Sequence, residues 1–330
     1  MKLFIQIPCL NEEATLPQTL ADLPKAIDGV DEIEVMVVDD GSTDRTVEVA
    51  REHGVNHVVS HGTNRGLAAA FSSGRDYALA HGADILVNTD ADNQYCGADI
   101  AKLVVPVLEN RADIVVGCRP IVDNPEFSRL KKLLQLCGSW ALRRISKTTV
   151  GDAPSGFRAF SRDALQRIFL HSRFSYCMET LIQAGATGMR VASVDVRVNP
   201  KTRDSRLFKS IPQYLRKTGG TMLSMFVLYR PGAFFSLLAA PFFLLAAVLG
   251  VRFLVLVYAF PDPARTHLPS LILLAISAFA GFLCLLLAVL GSLLAANRRL
   301  AEEQAFLLRK NNRSYDVSLP MRRPAYNCVQ

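Results

Sequence analysis

Long stretches of this 330-residue chain are almost without charge. Residues 231–260 carry one, Arg252, and residues 268–296 carry none. Each stretch exceeds the ~20 residues that cross ~30 Å of hydrocarbon as a helix, which excludes a wholly soluble single domain. Acidic residues are scarce in the same region. Residues 201–330 hold 16 Lys/Arg against 5 Asp/Glu, or +11, whereas residues 1–200 hold 21 against 25, or −4. The net charge of +7 thus belongs to the flanks of the apolar runs, so it gives no ground for nucleic-acid binding. The seven cysteines are scattered and never form CxxC. They give neither a zinc spacing nor a disulfide framework, and reduced thiols in a cytosolic compartment are expected. No GxGxxG follows the first apolar run and no Walker phosphate loop is present, which argues against dinucleotide-binding and P-loop classes. The opening MKLFIQIPCLNEE has too short an apolar run for a signal peptide and reads as a buried first strand.

Basic residues orient the apolar runs. Seven Lys/Arg lie in 201–230 and seven in 297–330, but only Arg265 in the connection 261–267. Positive charge stays on the cytoplasmic side, so both termini are expected there, in a multi-pass protein of the plasma or inner membrane. Residues 206–230 mix Leu, Phe, Tyr and Met with basic residues, the composition of an amphipathic segment on anionic headgroups. The expected organisation is a soluble domain over 1–205, an interfacial segment over 206–230, a two-helix hairpin over 231–296 and a cytoplasmic tail over 297–330.

Within 1–205, apolar runs of strand length recur at 3–7, 33–38, 57–60, 84–88 and 113–117. Helical patterns at 12–27, 44–53, 66–81 and 98–110 separate them. This rhythm predicts an α/β fold with a mostly parallel sheet, Rossmann-like, covered by helices on both faces. Polar clusters follow the first four strands: Asn11-Glu12-Glu13, Asp39-Asp40-Gly41-Ser42, Gly62-Thr63-Asn64-Arg65-Gly66 and Asp90-Ala91-Asp92-Asn93-Gln94. Any one of these could be a turn or helix cap. Together they mark the carboxyl edge of the sheet, where open α/β proteins bind ligands. His61 precedes a glycine turn and reads as a plain loop histidine.

Asp90, Asp92 and Gln94 alternate after a buried strand. In extended chain residues two apart point the same way, so three oxygen donors could converge on Mg²⁺ or Mn²⁺. Such hard cations take oxygen ligands and often keep phosphate oxygens and water as the remainder.

With these motifs, IPCLNEE (7–13), VVDDGSTDRT (37–46), NRGLAAAFSSG (64–74), TDADNQY (89–95) and DAPSGFRAFSR (152–162), the chain resembles a family 2 glycosyltransferase of the GT-A fold. With two C-terminal apolar runs it is similar to the polyprenyl-phosphate glycosyltransferases, the dolichol-phosphate mannose synthase group. The resemblance implies that Pro8, Asn11, Glu12, Asp39 and Asp40 line a nucleotide pocket, with Asp40 at the base. It implies that Asp90, Asp92 and Gln94 hold a metal against the diphosphate of a UDP- or GDP-linked sugar. Arg119 sits where the family places an arginine on the acceptor phosphate, with Lys131, Lys132 or Ser139 as a second contact. Arg203, Arg206 and Lys209 match a basic segment that closes over the diphosphate, although the family's Gly-x-Ser-Lys pattern is SRLFKS here. A homo-oligomer is a further expectation.

The acceptor can be argued from chemistry. A sugar hydroxyl needs a general base. A phosphate monoester has a second pKa of about 6 and is already anionic at neutral pH; it needs cations to hold it beside the donor. A membrane anchor suits a lipid acceptor, polyprenyl (undecaprenyl or dolichyl) phosphate. Direct attack on the anomeric carbon would invert configuration. Two other readings stay open: a membrane glycosyltransferase with a hydroxyl acceptor, using Glu179 in FSYCMETLIQA as base, and a non-catalytic nucleotide-sugar-binding module. Asp152, with Pro154 and Gly156 beside it, either shapes the acceptor loop or is purely structural. The sugar is not fixed by sequence.

Overall fold

The computed structural model describes residues 1–120, 148, 150–171, 176–200, 219–220, 223–259 and 268–315, with side chains described to 310 in the last helix. It divides into two units, one of residues 1–222 and 305–330, the other of residues 223–304.

The first unit is built on a seven-stranded sheet. Its elements run β1 (Lys2–Cys9), α1 (Leu16–Ala21), β2 (Glu32–Asp39), α2 (Thr46–Glu52), β3 (His57–Ser60), α3 (Leu67–Ala80), β4 (Ile85–Asn88), α4 (Ile100–Leu108) and β5 (Ile114–Cys118). They continue with β6 (Arg158–Ser161), α5 (Arg162–Arg167), α6 (Tyr176–Thr187) and β7 (Val191–Asp195). The strand order is β3-β2-β1-β4-β6-β5-β7. All pairings are parallel except those of β6 with β4 and β5. The alternation legible in the sequence thus forms a mostly parallel sheet, and the order reverses between β1 and β4. At such a switch point the connecting helices leave in opposite directions and open a crevice at the carboxyl ends of the strands.

β6 shapes the site for a topological reason. It runs against its neighbours, so the chain that enters it comes from the carboxyl edge of the parallel strands. The loop 152–157 is thereby delivered to the crevice. Strands β1 and β4 are buried on both faces, as continuous apolar runs should be. Leu3, Ile5, Ile7, Val37, Ile85, Val87 and Val115 pack with Ile100, Leu103 and Val104 of α4 into the main core. Helix α1 is shorter than the predicted 12–27, because residues 10–15 are drawn into the turn that follows β1.

The second unit contains α7 (Pro231–Tyr258) and most of α8 (Leu268–Tyr315). Both are long and apolar enough to cross a membrane, with mean hydropathies of 2.4 and 2.8 over their most apolar windows. Leu237, Leu244, Phe279, Phe282 and Leu294 are exposed, which is the reverse of a soluble core helix. The two helices pack at glycines: a Cβ on Gly291 would lie 2.7 Å from Pro231 Cβ, and one on Gly232 would lie 2.8 Å from Ser292 Oγ. Small residues permit this close backbone approach, which drives helix association in lipid. Helix α8 does not stop at residue 296 but runs on to Tyr315.

Candidate active site

The loops after β1 and β2 are tied into one unit. Asn11 is left-handed (φ 55°), a conformation Asn tolerates better than most residues. Its N–H donates to Ser42 Oγ (2.9 Å), and its Oδ1 accepts from the Thr43 amide (2.8 Å). The Glu12 amide donates to Thr46 Oγ1 (2.8 Å), and Glu12 Oε2 accepts from the Thr15 hydroxyl (2.7 Å). The Arg45 amide donates to Glu13 Oε2 (3.0 Å). Pro8 is half-buried beside Val38 in the β1–β2 pairing.

The adjacent carboxylates Asp39 and Asp40 have different work. Asp39 Oδ1 accepts from the Ser42 amide (2.9 Å); its other oxygen has no partner among the described residues. Both oxygens of Asp40 are engaged. Oδ1 accepts from the Arg65 amide (2.9 Å) and pairs with His61 Nδ1 (2.7 Å), and Oδ2 accepts from the Gly66 amide (2.8 Å). His61 is therefore no plain loop histidine: it is buried, and its Nε2 meets Ser73 Oγ at 2.9 Å. Gly41 between these loops has φ 81°, and a Cβ there would sit 2.8 Å from the Thr63 carbonyl carbon. Only glycine satisfies both demands.

After β4 the chain turns. Ala91 and Asp92 form a turn and Asn93 is left-handed (φ 52°), so the extended-chain alternation invoked for Asp90, Asp92 and Gln94 does not hold. Instead the Gln94 amide donates to Asp92 Oδ1 (3.2 Å). Asp90 and Asp92 are half-buried, and the described residues contain no cluster of three His, Cys, Asp or Glu side chains around a single cation position. Two carboxylates at a strand end still suit Mg²⁺ or Mn²⁺, whose remaining ligands would be phosphate oxygens and water. The segment is covered by the chain 197–199. The Asn199 amide donates to the Gln94 carbonyl (2.9 Å), and Asn199 Nδ2 donates to the Asn93 carbonyl (3.1 Å). Asp99 receives Arg197 Nη2 at 2.8 Å and holds this crossing in place.

At the end of β5, Arg119 grips Asp152 from the loop before β6. Nε donates to Oδ2 (2.7 Å) and Nη2 to Oδ1 (3.1 Å). The Asp152 side chain is fully buried, while that of Arg119 keeps 14% of its surface exposed. Burial disfavours the guanidinium charge, but Tyr95, Asp152 and Asp90 outweigh it and push the Arg119 pKa up. Tyr95 is buried beneath it, 4.8 Å from Phe157 ring to ring, with its phenol pushed up by burial. Gly156 approaches Asp90 so closely that a Cβ would lie 3.0 Å from Oδ1 and 3.3 Å from the Tyr176 hydroxyl. The loop is pinned by Arg158, fully buried, which donates to the carbonyls of Ala153 (2.6 Å), Ser155 (2.8 Å) and Cys177 (2.6 Å).

Asp90, Tyr95, Arg119, Asp152 and Gly156 thus converge. Sequence reasoning missed Tyr95, Tyr176 and Arg158, although the alternation of Gly156 and Arg158 in SGFR was a usable signal. Glu179 is fully buried on α6 and accepts from the His171 amide (2.8 Å). Lys131, Lys132, Ser139, Arg203, Arg206 and Lys209 lie outside the described residues.

Strand order, switch point and an acidic strand end define a nucleotide-dependent GT-A transferase domain, and comparison with known proteins agrees. Residues 4–169 match the family model "Glycosyl transferase family 2". The chain belongs to that family and is a glycosyltransferase. A UDP-N-acetylglucosamine–dolichyl-phosphate N-acetylglucosaminyltransferase of Methanococcus voltae is 30% identical over 59% of this chain and 84% of its own length. An undecaprenyl-phosphate mannosyltransferase of Micrococcus luteus is 29% identical over 59% of this chain and 83% of its own. Among solved structures, glucosyl-3-phosphoglycerate synthase from Mycobacterium tuberculosis, in complex with Mn²⁺, UDP-glucose and phosphoglyceric acid, shares the fold. Its TM-score is 0.51 at 22% identity, over 68% of this chain and 78% of that one.

Proposed function

We propose that the enzyme transfers a hexosyl group from a nucleotide sugar to a polyprenyl phosphate at the cytoplasmic face of the membrane, with inversion at the anomeric carbon. The observation that carries this reading is Arg119, forked onto the buried Asp152 at the end of β5, in a chain that also bears two membrane-length helices. The relatives named for dolichyl- and undecaprenyl-phosphate acceptors support it.

On this reading Asp39, rather than the Asp40 expected from the sequence, whose two oxygens are engaged, meets the nucleotide base, and the interlocked loops 10–15 and 40–46 form the pocket. Asp90 and Asp92 would hold a divalent cation, as the manganese-containing structural neighbour suggests. Such an ion supplies charge neutralisation for the departing nucleoside diphosphate. Arg119 binds the acceptor phosphate, and its fork is fixed by Asp152 rather than left to search rotamers. The basic segment with Arg203, Arg206 and Lys209 follows directly on the crossing at 197–199 and is suited to the donor phosphates. No base is required, because the acceptor arrives as an anion. The burial of Glu179 against His171 supports a structural role for that carboxylate.

The end of α8 has partners of its own in the first unit. The far end of α8 belongs to the same compact unit as the catalytic domain. Arg309 donates to the carbonyls of Gln166 and Ile168 (3.1 Å each), and the Arg167 guanidinium lies 4.2 Å from the Phe306 ring centre. The test is incubation of the purified protein with Mn²⁺ or Mg²⁺, a short polyprenyl phosphate and a panel of UDP- and GDP-sugars, read by mass spectrometry of the lipid. A polyprenyl-phosphate β-sugar from an α-linked donor is expected; an α-linked product would exclude single displacement.

A further inference from the structure

The loop 62–66 is flanked by glycines and exposed over residues 62–65. Three side chains hold it. The Asp40 carboxylate accepts the amides of Arg65 and Gly66 and so fixes the start of α3. A carboxylate that takes two amides can only accept from the imidazole, so His61 carries its proton on Nδ1 and donates to Oδ1 (2.7 Å). His61 Nε2 meets the Ser73 hydroxyl oxygen at 2.9 Å, on the second turn of α3. The His61 side chain is only 4% exposed, and the His61 amide donates to the Asp39 carbonyl (2.9 Å). The braced loop in turn packs its Thr63–Asn64 backbone against Gly41, directly after the Asp39-Asp40 pair.

We propose that His61 is a positioning residue for the donor site. Through Asp40 it sets the loop 62–66 as a wall of the nucleotide pocket and presents the exposed Arg65 at its rim, for a nucleoside diphosphate. The inference rests on the nucleotide-sugar reading and adds a division of labour: Asp39 faces the nucleotide, while Asp40 is spent on the loop. Arg119 and Asp152 lie on the other side of β4 in the sheet order, so the effect falls on the donor and not on the acceptor.

The experiment uses the full chain in detergent. Binding of UDP and GDP with Mn²⁺ is measured by calorimetry for the wild type, His61→Phe and His61→Asn, and KM values for donor and acceptor are measured alongside. Phenylalanine keeps an aromatic ring, somewhat larger, and loses both hydrogen bonds. Asparagine places an amide N–H where Nδ1 was. His61→Phe is expected to weaken nucleotide binding and raise the donor KM at least 10-fold, with kcat and the acceptor KM within about 3-fold, and His61→Asn to recover most of that loss. Trypsin cleavage at the Arg65–Gly66 bond, followed by mass spectrometry, is expected to speed up at least 10-fold in His61→Phe alone, while the rest of the digest stays unchanged. Wild-type nucleotide affinity in His61→Phe overturns the inference, as does a loss shared equally by the acceptor KM. Failure of His61→Asn to recover, with normal digestion elsewhere, also overturns it. If the wild type itself binds neither nucleotide, the donor-site reading falls, and this inference with it.

Discussion

The guanidinium of Arg119 meets the buried carboxylate of Asp152 through two nitrogens, at 2.7 and 3.1 Å. The pair joins the end of β5 to the loop that enters the antiparallel β6, so this reversed strand orients the proposed acceptor cation. Arg119→Lys keeps the charge but cannot make the fork, and it is expected to lower kcat/KM for polyprenyl phosphate on the order of 100-fold. Asp152→Asn should cost about 10-fold by the same route. Neither should change the donor KM by more than a few-fold. Initial rates against each substrate check this.

Gly156 is fixed by space rather than by backbone conformation. Its Cβ position is 3.0 Å from Asp90 Oδ1. Gly156→Ala is therefore expected to displace the Asp90 carboxylate and lower turnover at least 10-fold. The melting temperature should fall only a few degrees, since the loop remains pinned by Arg158. Thermal unfolding and turnover measured on one preparation separate the two effects.

Asp99 gives a pH signature. Burial alone would raise its pKa, but hydrogen bonds from the Arg197 side chain and backbone, and from Lys102, outweigh this and hold it at about 2. A carboxylate whose folded pKa is depressed stabilises the fold above its ordinary value of 3.8, and loses that contribution as pH falls toward 2. Asp99→Asn should be less stable by about 2 kcal/mol near neutrality. Its gap from the wild type should be flat from pH 7 to 5 and should close between pH 4 and 2. Unfolding monitored in detergent across that range tests it.

Much of the fold could be read from the chain, because apolar runs bounded by polar clusters carry their own period. β1 to β5 and α2 to α4 all correspond to runs visible in the sequence. Strand β6, which follows from a tight loop in SGFR, and the half-exposed β7 could not be found this way: neither has a long apolar run, and their places depend on pairings with β4 and β5. Among the site residues, Asp90, Asp92 and Arg119 were legible as charged groups at strand ends. The roles of Asp40 and His61 were not, since a loop histidine reveals its partner only when β2, β3 and α3 are brought together. The extended-chain argument for Gln94 failed for a local reason, the left-handed turn at Asn93.

The contacts of Arg309, within the first unit, make a separate prediction. Arg309→Ala removes two hydrogen bonds to the Gln166 and Ile168 carbonyls and a stacking contact with Phe169. It is expected to raise the rate of protease cleavage after residue 310 several-fold while leaving nucleotide affinity unchanged. Limited proteolysis of membrane vesicles with an exposed cytoplasmic face reads the first, and calorimetry the second.

The most direct measurement is the rate of sugar transfer to a short polyprenyl phosphate by the purified protein, with and without a divalent-metal chelator, in wild type and Asp92→Ala. The account predicts a glycosylated lipid phosphate from the wild type with Mn²⁺ or Mg²⁺. It also predicts loss of at least 100-fold on chelation or substitution, with the chelated enzyme restored by added metal. Undiminished turnover in chelator or in Asp92→Ala, or transfer to lipid hydroxyls with the phosphate acceptor ignored, would contradict it.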